Sequence, residues 1–165
     1  MKTKLLIAFI LSAVCATAQT AEFKYQYENQ NARRGTFKFT CDDPSLCFEA
    51  DASAGYLAGA NNPYVQQTAN LGPIPNGNWS IYEVKNADLK TFRLKPVSDV
   101  AITQRSGFLI HGIGNEGTPE SSSLGCIILA KAYREKLLAA FRRYGPIALK
   151  VTNFTTSDPP DHRGK

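Results

Sequence analysis

The chain has 165 residues, enough for one compact domain and too few for two of ordinary size. At 43% hydrophobic and 20% charged residues it is globular in composition, which excludes a disordered chain or a coiled coil as the main reading. The net charge is +5, falling to +3 once Lys2 and Lys4 are removed, so no nucleic-acid partner is demanded, while an anionic polymer surface stays compatible.

The first elements read as an export signal. Two lysines lie within Met1–Lys4, Leu5–Val14 is apolar except for Ser12, and Ala16-Thr17-Ala18 supplies a small-x-small cleavage pattern. The expectation is a secretory signal over 1–18, a single domain over 19–157 and a loose polar tail over 158–165. A membrane anchor fits poorly, because the apolar run is about half the length a spanning helix needs. Lipid attachment at Cys15 also fits poorly, since Ser12, Ala13 and Val14 lack the usual leucine three residues before the cysteine and the small residue just before it. No second apolar run of membrane length follows, so a periplasmic or secreted protein without stable membrane insertion is expected.

Along the remaining chain, Glu22 to Arg34 is polar and aromatic without a clear period, and reads as a leader or an edge strand. Gly35 to Phe39 alternates as a half-buried strand. Ala50 to Asn70, rich in Ala, Gly and Asn, reads as a long irregular loop. The run LGPIPNGN over Leu71 to Asn78 has two prolines and two glycines and forms a rigid turn. Strands are expected at Trp79 to Val84, Thr91 to Lys95, Gly107 to Ile110, Ile127 to Leu129 and Ile147 to Val151. From Ala130 to Tyr144 the residues Tyr133, Leu137, Ala140, Phe141 and Tyr144 make a helical stripe, with Lys131, Arg134, Glu135 and Arg142 on the other side. Gly145 and Pro146 stop that helix. The fold class is therefore mainly β with one main helix over about 130–144.

Export changes how the cysteines read. Cys15 leaves with the signal, so Cys41, Cys47 and Cys126 remain, an odd number for an oxidising compartment. Cys41 and Cys47 flank the turn-forming segment Asp42 to Leu46 and can bridge. That leaves Cys126 free, or available for an intermolecular bridge. Of the two histidines, His162 falls in the tail and His111 ends the apolar strand Phe108-Leu109-Ile110. Cys126 comes fifteen positions after His111 and sits in Ser123-Leu124-Gly125-Cys126-Ile127. One free thiol and one imidazole, each at a loop–strand junction, form a minimal set for thiol nucleophilic catalysis: the imidazole, with a pKa near 6.5, can take the proton of a thiol near 8.5. The amides of Gly125 and Cys126 could face a developing oxyanion. One folded-region histidine and one thiol do not make a tetrahedral metal set, so no metal or other cofactor is expected.

The segment from Ile110-His111-Gly112 to Ser123-Leu124-Gly125-Cys126-Ile127 resembles the active-site motif of L,D-transpeptidases, the YkuD-like catalytic domain. The Gly72-Pro73-Ile74-Pro75-Asn76-Gly77-Asn78-Trp79 turn resembles that superfamily's Gly-Pro-x-Pro-x-Gly-x-aromatic turn. With Arg105 before the histidine strand, the likeness is greatest to the type VI secretion L,D-transpeptidase effector subgroup. Leu124 stands where many members have His, and Ile128 where many have Arg or Asn; the effector subgroup tolerates both. The resemblance implies a β-sandwich-like domain. It also implies that Cys126 attacks a peptidoglycan stem peptide at its third residue, with His111 as base, oriented by the Gly112 carbonyl. By the same likeness Ser123 steadies the loop, Arg105 meets a substrate carboxylate, and a cognate immunity protein is a partner. Water, an amine and a D-amino acid stay open as acceptors, as do the cell's own wall and a rival's. A non-catalytic wall-binding module of the same fold is the alternative, although such a module needs neither His111 nor a free Cys126.

Overall fold

Phe23, Tyr25 and Tyr27 alternate with Glu22, Lys24 and Gln26, and this period of two builds strand β1, Thr20–Asn29, with its aromatics buried. The computed structural model describes residues 18–29, 32–98, 100, 105–114 and 117–155. The expected signal up to Thr17, the expected tail and His162 lie outside the described residues. Seven further strands follow: β2 (Ala32–Thr40), β3 (Phe48–Ala54), β4 (Gly77–Asn86), β5 (Thr91–Ser98), β6 (Leu109–His111), β7 (Ile127–Leu129) and β8 (Ile147–Thr155). One α-helix, α1 (Lys131–Tyr144), separates β7 from β8.

Among the described residues the architecture is mainly β with a single α-helix, and the sheet closes on itself as a barrel in the order β1-β2-β3-β7-β6-β5-β4-β8. Closure comes from β8, which pairs parallel to β1 and antiparallel to β4. The sandwich-like layering expected from the family likeness is thus realised as one continuous sheet. It also explains why Glu22 to Arg34 is neither leader nor edge: β1 is hydrogen-bonded to β2 on one side and β8 on the other. Part of the expected loop from Ala50 is strand as well, because β3 runs to Ala54 before two short 3-10 turns at Leu57–Gly59 and Pro63–Val65.

The inward residues of the strands, among them Phe23, Phe37, Ile81, Phe92, Ile110 and Ile127, form one core that Leu137 and Ala140 of α1 join. Full burial of each such side chain contributes about 1.5–3 kcal/mol. The Gly-Pro-x-Pro turn is packed rather than exposed: Ile74 is buried, and Trp79 donates from Nε1 to the Pro75 carbonyl at 3.0 Å. Trp79 lies edge-on to Phe108, with ring centroids 5.1 Å apart, in the core. Gly145, at φ 82°, ends the helix and donates its N–H to the Phe141 carbonyl.

Cys41 and Cys47 are disulfide-bonded, with Cα atoms 5.6 Å apart, in the connection between β2 and β3. Asp43 in the same loop pairs with Arg143 of the helix at 2.8 Å. Replacing both cysteines by alanine should lower stability by about 2 kcal/mol through the lost loop constraint. Urea unfolding of the double variant measures this, and an unchanged midpoint would show that the short loop is already ordered without the bridge.

Candidate active site

Strand pairing decides which side chains meet. Strands β6 and β7 run parallel, with Ile110 opposite Ile127 and His111 opposite Ile128. Ile110 and Ile127 are fully buried and point into the barrel. Successive side chains alternate, so His111 and Cys126 both project from the outer face. Strand spacing and rise place their backbones on a diagonal of about 8 Å, within reach of an imidazole leaning towards a thiol. Among the described residues no direct thiol–imidazole hydrogen bond is made; the thiol donates to the Gly107 carbonyl at 4.0 Å. Catalytic hydrogen bonds of this kind commonly tighten only when substrate binds.

The imidazole is held by its other nitrogen. His111 Nδ1 lies 2.8 Å from the Gly112 carbonyl. A carbonyl can only accept, so Nδ1 carries the proton and Nε2 is left as the base. Burial pushes the His111 pKa below 6.5; the Gly112 carbonyl opposes this, and the positive charges of Arg134 and Lys85 reinforce it. Burial pushes the Cys126 thiol above 9.0, opposed by the Leu109 amide, the charges of Lys85 and Arg105, and its own amide. The resting pair is therefore neutral thiol and neutral imidazole rather than a preformed ion pair.

The loop before the cysteine corrects one expectation. The Gly125 amide donates to Ser123 Oγ at 3.0 Å, and the buried Ser123 hydroxyl donates in turn to the Cys126 carbonyl at 2.6 Å. The Ser123 hydroxyl thus bridges two main-chain groups of the loop, and its Oγ takes the N–H that the sequence offered to an oxyanion. Leu109 supplies a donor that the sequence did not announce. Leu94 N–H bonds the Phe108 carbonyl, so in the alternating antiparallel ladder the next pair, Arg93 with Leu109, is the one without mutual bonds. Leu109 N–H is thereby turned towards β7 and the Cys126 sulfur.

Two buried arginines fix the two glycines of the site. Arg105, expected to meet a substrate carboxylate, instead spends both terminal nitrogens on main-chain carbonyls. Nη1 donates to Gln66 and Pro73, and Nη2 to Gly72 and Leu124. It joins the proline turn to the residue before Gly125, and a Cβ on Gly125, at φ +138°, would collide with its guanidinium. Arg134, on the polar side of the helical pattern in sequence, is only 8% exposed. Its Nε donates to Leu129 at 2.8 Å and its Nη1 to Leu89 and Lys90. A Cβ on Gly112 would collide with Arg134 Nη2. A charged residue one step off an apolar stripe gives no signal of this in sequence; the glycine after the histidine was the available hint.

A cavity of about 430 Å³ opens beside the thiol, lined by Arg105, Gly107, Phe108, Leu124, Gly125 and Cys126. A closed, mainly β sheet that presents one free thiol and one pinned imidazole on the same face defines the class: a β domain with a cysteine–histidine site. Residues 49–145 match the Tlde1 domain, and the chain belongs to that family of type VI secretion L,D-transpeptidase effectors. The matched span contains the proline turn, Arg105, His111, Cys126 and α1. No curated protein matches the chain.

Two outcomes are expected of this geometry. Alkylation of Cys126 by iodoacetamide should keep accelerating as pH rises past 9, without the low-pH plateau of a thiolate–imidazolium pair; stopped-time mass spectrometry reads it. Arg134→Met removes a cation beside His111, so the His111 pKa should rise towards about 6.5 in an NMR titration. Three carbonyls lose a donor in the same variant, which should cost about 3 kcal/mol of stability.

Proposed function

We propose that this protein is an exported cysteine acyl-transfer enzyme acting on peptidoglycan stem peptides, an L,D-transpeptidase or L,D-carboxypeptidase. The observation that carries the reading is the shared outer face of β6 and β7, on which His111 Nε2 is free and Cys126 is unpaired. Membership of an effector family with that activity supports the substrate class.

In the first half-reaction Cys126 Sγ attacks the carbonyl of the third stem residue as His111 Nε2 takes the thiol proton. The amides of Leu109 and Cys126, both directed at the sulfur, hold the oxyanion. The C–N bond to the terminal D-alanine then breaks, and the imidazolium gives its proton to the leaving amine. The product is a thioester on Cys126. In the second half-reaction an amine or water attacks that thioester, passes a proton to His111, and the thiolate leaves and is reprotonated. An amine gives transpeptidation or exchange; water gives trimming.

Arg105 supports this chemistry from behind. Among the described residues no carboxylate pairs with it, and its field favours the thiolate leaving group in the second step. As a type VI effector the enzyme acts in the periplasm, and a cognate immunity protein is its expected partner.

Incubating the protein with tetrapeptide muropeptides and reading masses tests the reading. Loss of one D-alanine, or its replacement, is the expected result. Cys126→Ala and His111→Ala should each lower the rate by on the order of 10³ or more. Turnover that survives Cys126→Ala would overturn the assignment.

A further inference from the structure

The outer face that carries His111 extends across β5 to β4, and the cations around the histidine are spoken for. Arg93 pairs with Glu83 at 3.2 Å, and Lys90 with Glu135 at 3.6 Å. Arg105 and Arg134 donate to main-chain carbonyls. Lys85 is the exception. It is exposed, and among the described residues its ammonium makes no hydrogen bond or ion pair.

Strand register brings Lys85 to the reactive pair. Ile110 of β6 is opposite Phe92 of β5, and Phe92 is opposite Val84 of β4, so one inward row crosses the three strands. One step further along, His111 and Thr91 share the outer row. There β4 supplies two residues, Lys85 and Asn86, where β5 supplies one. Lys85 is the extra residue of a β-bulge, a device that re-aims a side chain. From β4 to β6 is two strand spacings, about 10 Å. A lysine's four-carbon stem and a bound group span that distance together.

The hairpin that bears Lys85 is also tied to the histidine. Arg134 donates from Nη1 to the Leu89 and Lys90 carbonyls at the hairpin tip, and its Nη2 lies where a Cβ on Gly112 would be. One guanidinium thus sets the spacing between the residue after His111 and the β4–β5 connection. Burial is the largest influence on both reactive groups, and the Lys85 charge is felt at each, pushing imidazole and thiol alike down.

The cavity beside the thiol supplies no such charge. Its one charged lining residue is Arg105, whose donors are spent on carbonyls. A stem-peptide donor has free carboxylates: one ends the chain, and a diamino diacid at the third residue carries another on its side chain. An exposed ion pair gains little in open water and more once a bound peptide covers it. We propose that Lys85 is a specificity-determining residue that binds a free carboxylate of the stem-peptide donor, an assignment that rests on the acyl-transfer reading. The peptide then lies across the outer face with its acyl carbon at Cys126, its scissile nitrogen at His111 and a carboxylate at Lys85.

The test uses full-length protein and three tetrapeptide muropeptide donors: the free acid, the chain-end carboxamide and the carboxamide of the third-residue side chain. Mass spectrometry of donor consumption gives kcat/KM for each. Amidation at the chain end makes the departing amine less basic, so chemistry alone would speed that donor. Wild-type protein should use at least one amide tenfold or more less efficiently than the free acid, and which one it is identifies the carboxylate. Lys85→Met should lower kcat/KM for the free acid at least tenfold and bring each disfavoured amide within twofold of it. Lys85→Arg, which keeps the charge, should keep the discrimination. The proposal is overturned, and the acyl-transfer reading left standing, by any of four results: equal use of the three donors by wild-type protein, discrimination that survives Lys85→Met, an equal loss on all donors in that variant, or discrimination lost equally in Lys85→Arg. Failure of wild-type protein to consume any donor overturns that reading and the proposal with it.

Discussion

The parallel pairing of two three-residue strands is the constraint on which the rest depends. Because Ile110 and Ile127 are opposite each other and buried, the residues on either side of them have no choice of face. A slip of one residue in either strand would turn His111 or Cys126 into the core. The pairing is short, but β5 flanks it on one side and β3 on the other, so the barrel rather than the pair holds its register. Barrel closure by β8 therefore supports the site from the opposite side of the molecule.

The second layer of support is cationic. Arg105 and Arg134 are both buried, and among the described residues each donates its hydrogen bonds to main-chain carbonyls. Each presses against a glycine next to a reactive residue: Gly125 before Cys126, and Gly112 after His111. These glycines are required less for backbone freedom alone than because a guanidinium already fills the space a Cβ would take. The two clamps also give the site a positive field, which depresses the imidazole and favours a thiolate over a thiol. Burial works against the thiolate and with the neutral imidazole. The balance leaves a protonated thiol beside a neutral imidazole.

Much of this was legible in the sequence. The helix stripe, the Gly145 stop and the proline turn depend on near-neighbour periodicity and on φ restrictions, both of which are local. The histidine and the unpaired cysteine stood out because so few such residues remained once export and the Cys41–Cys47 bridge were allowed for. What the sequence hid was non-local. In β1 the amphipathic tyrosines mask the alternation of Phe23, Tyr25 and Tyr27 with Glu22, Lys24 and Gln26, and the strand's two neighbours, β2 and β8, are what bury them. Arg134 looked like solvent-facing charge because its partners, Leu89 and Lys90, are more than forty residues away. The Gly125 amide looked free because the Ser123 hydroxyl can only be seen to take it once the loop is folded.

The choice of carbonyls as acceptors has a consequence for where the protein can work. An arginine paired with a carboxylate is released when acid protonates its partner. Amide oxygens do not titrate in the range that proteins experience, and guanidinium keeps its proton throughout. The two internal tethers thus have no acid-labile half, and the bonds of Arg105 to the proline turn and of Arg134 to Leu129 carry no carboxylate that acid could neutralise. Acidification would charge the imidazole without unfastening either guanidinium, and neutralisation would restore its resting form.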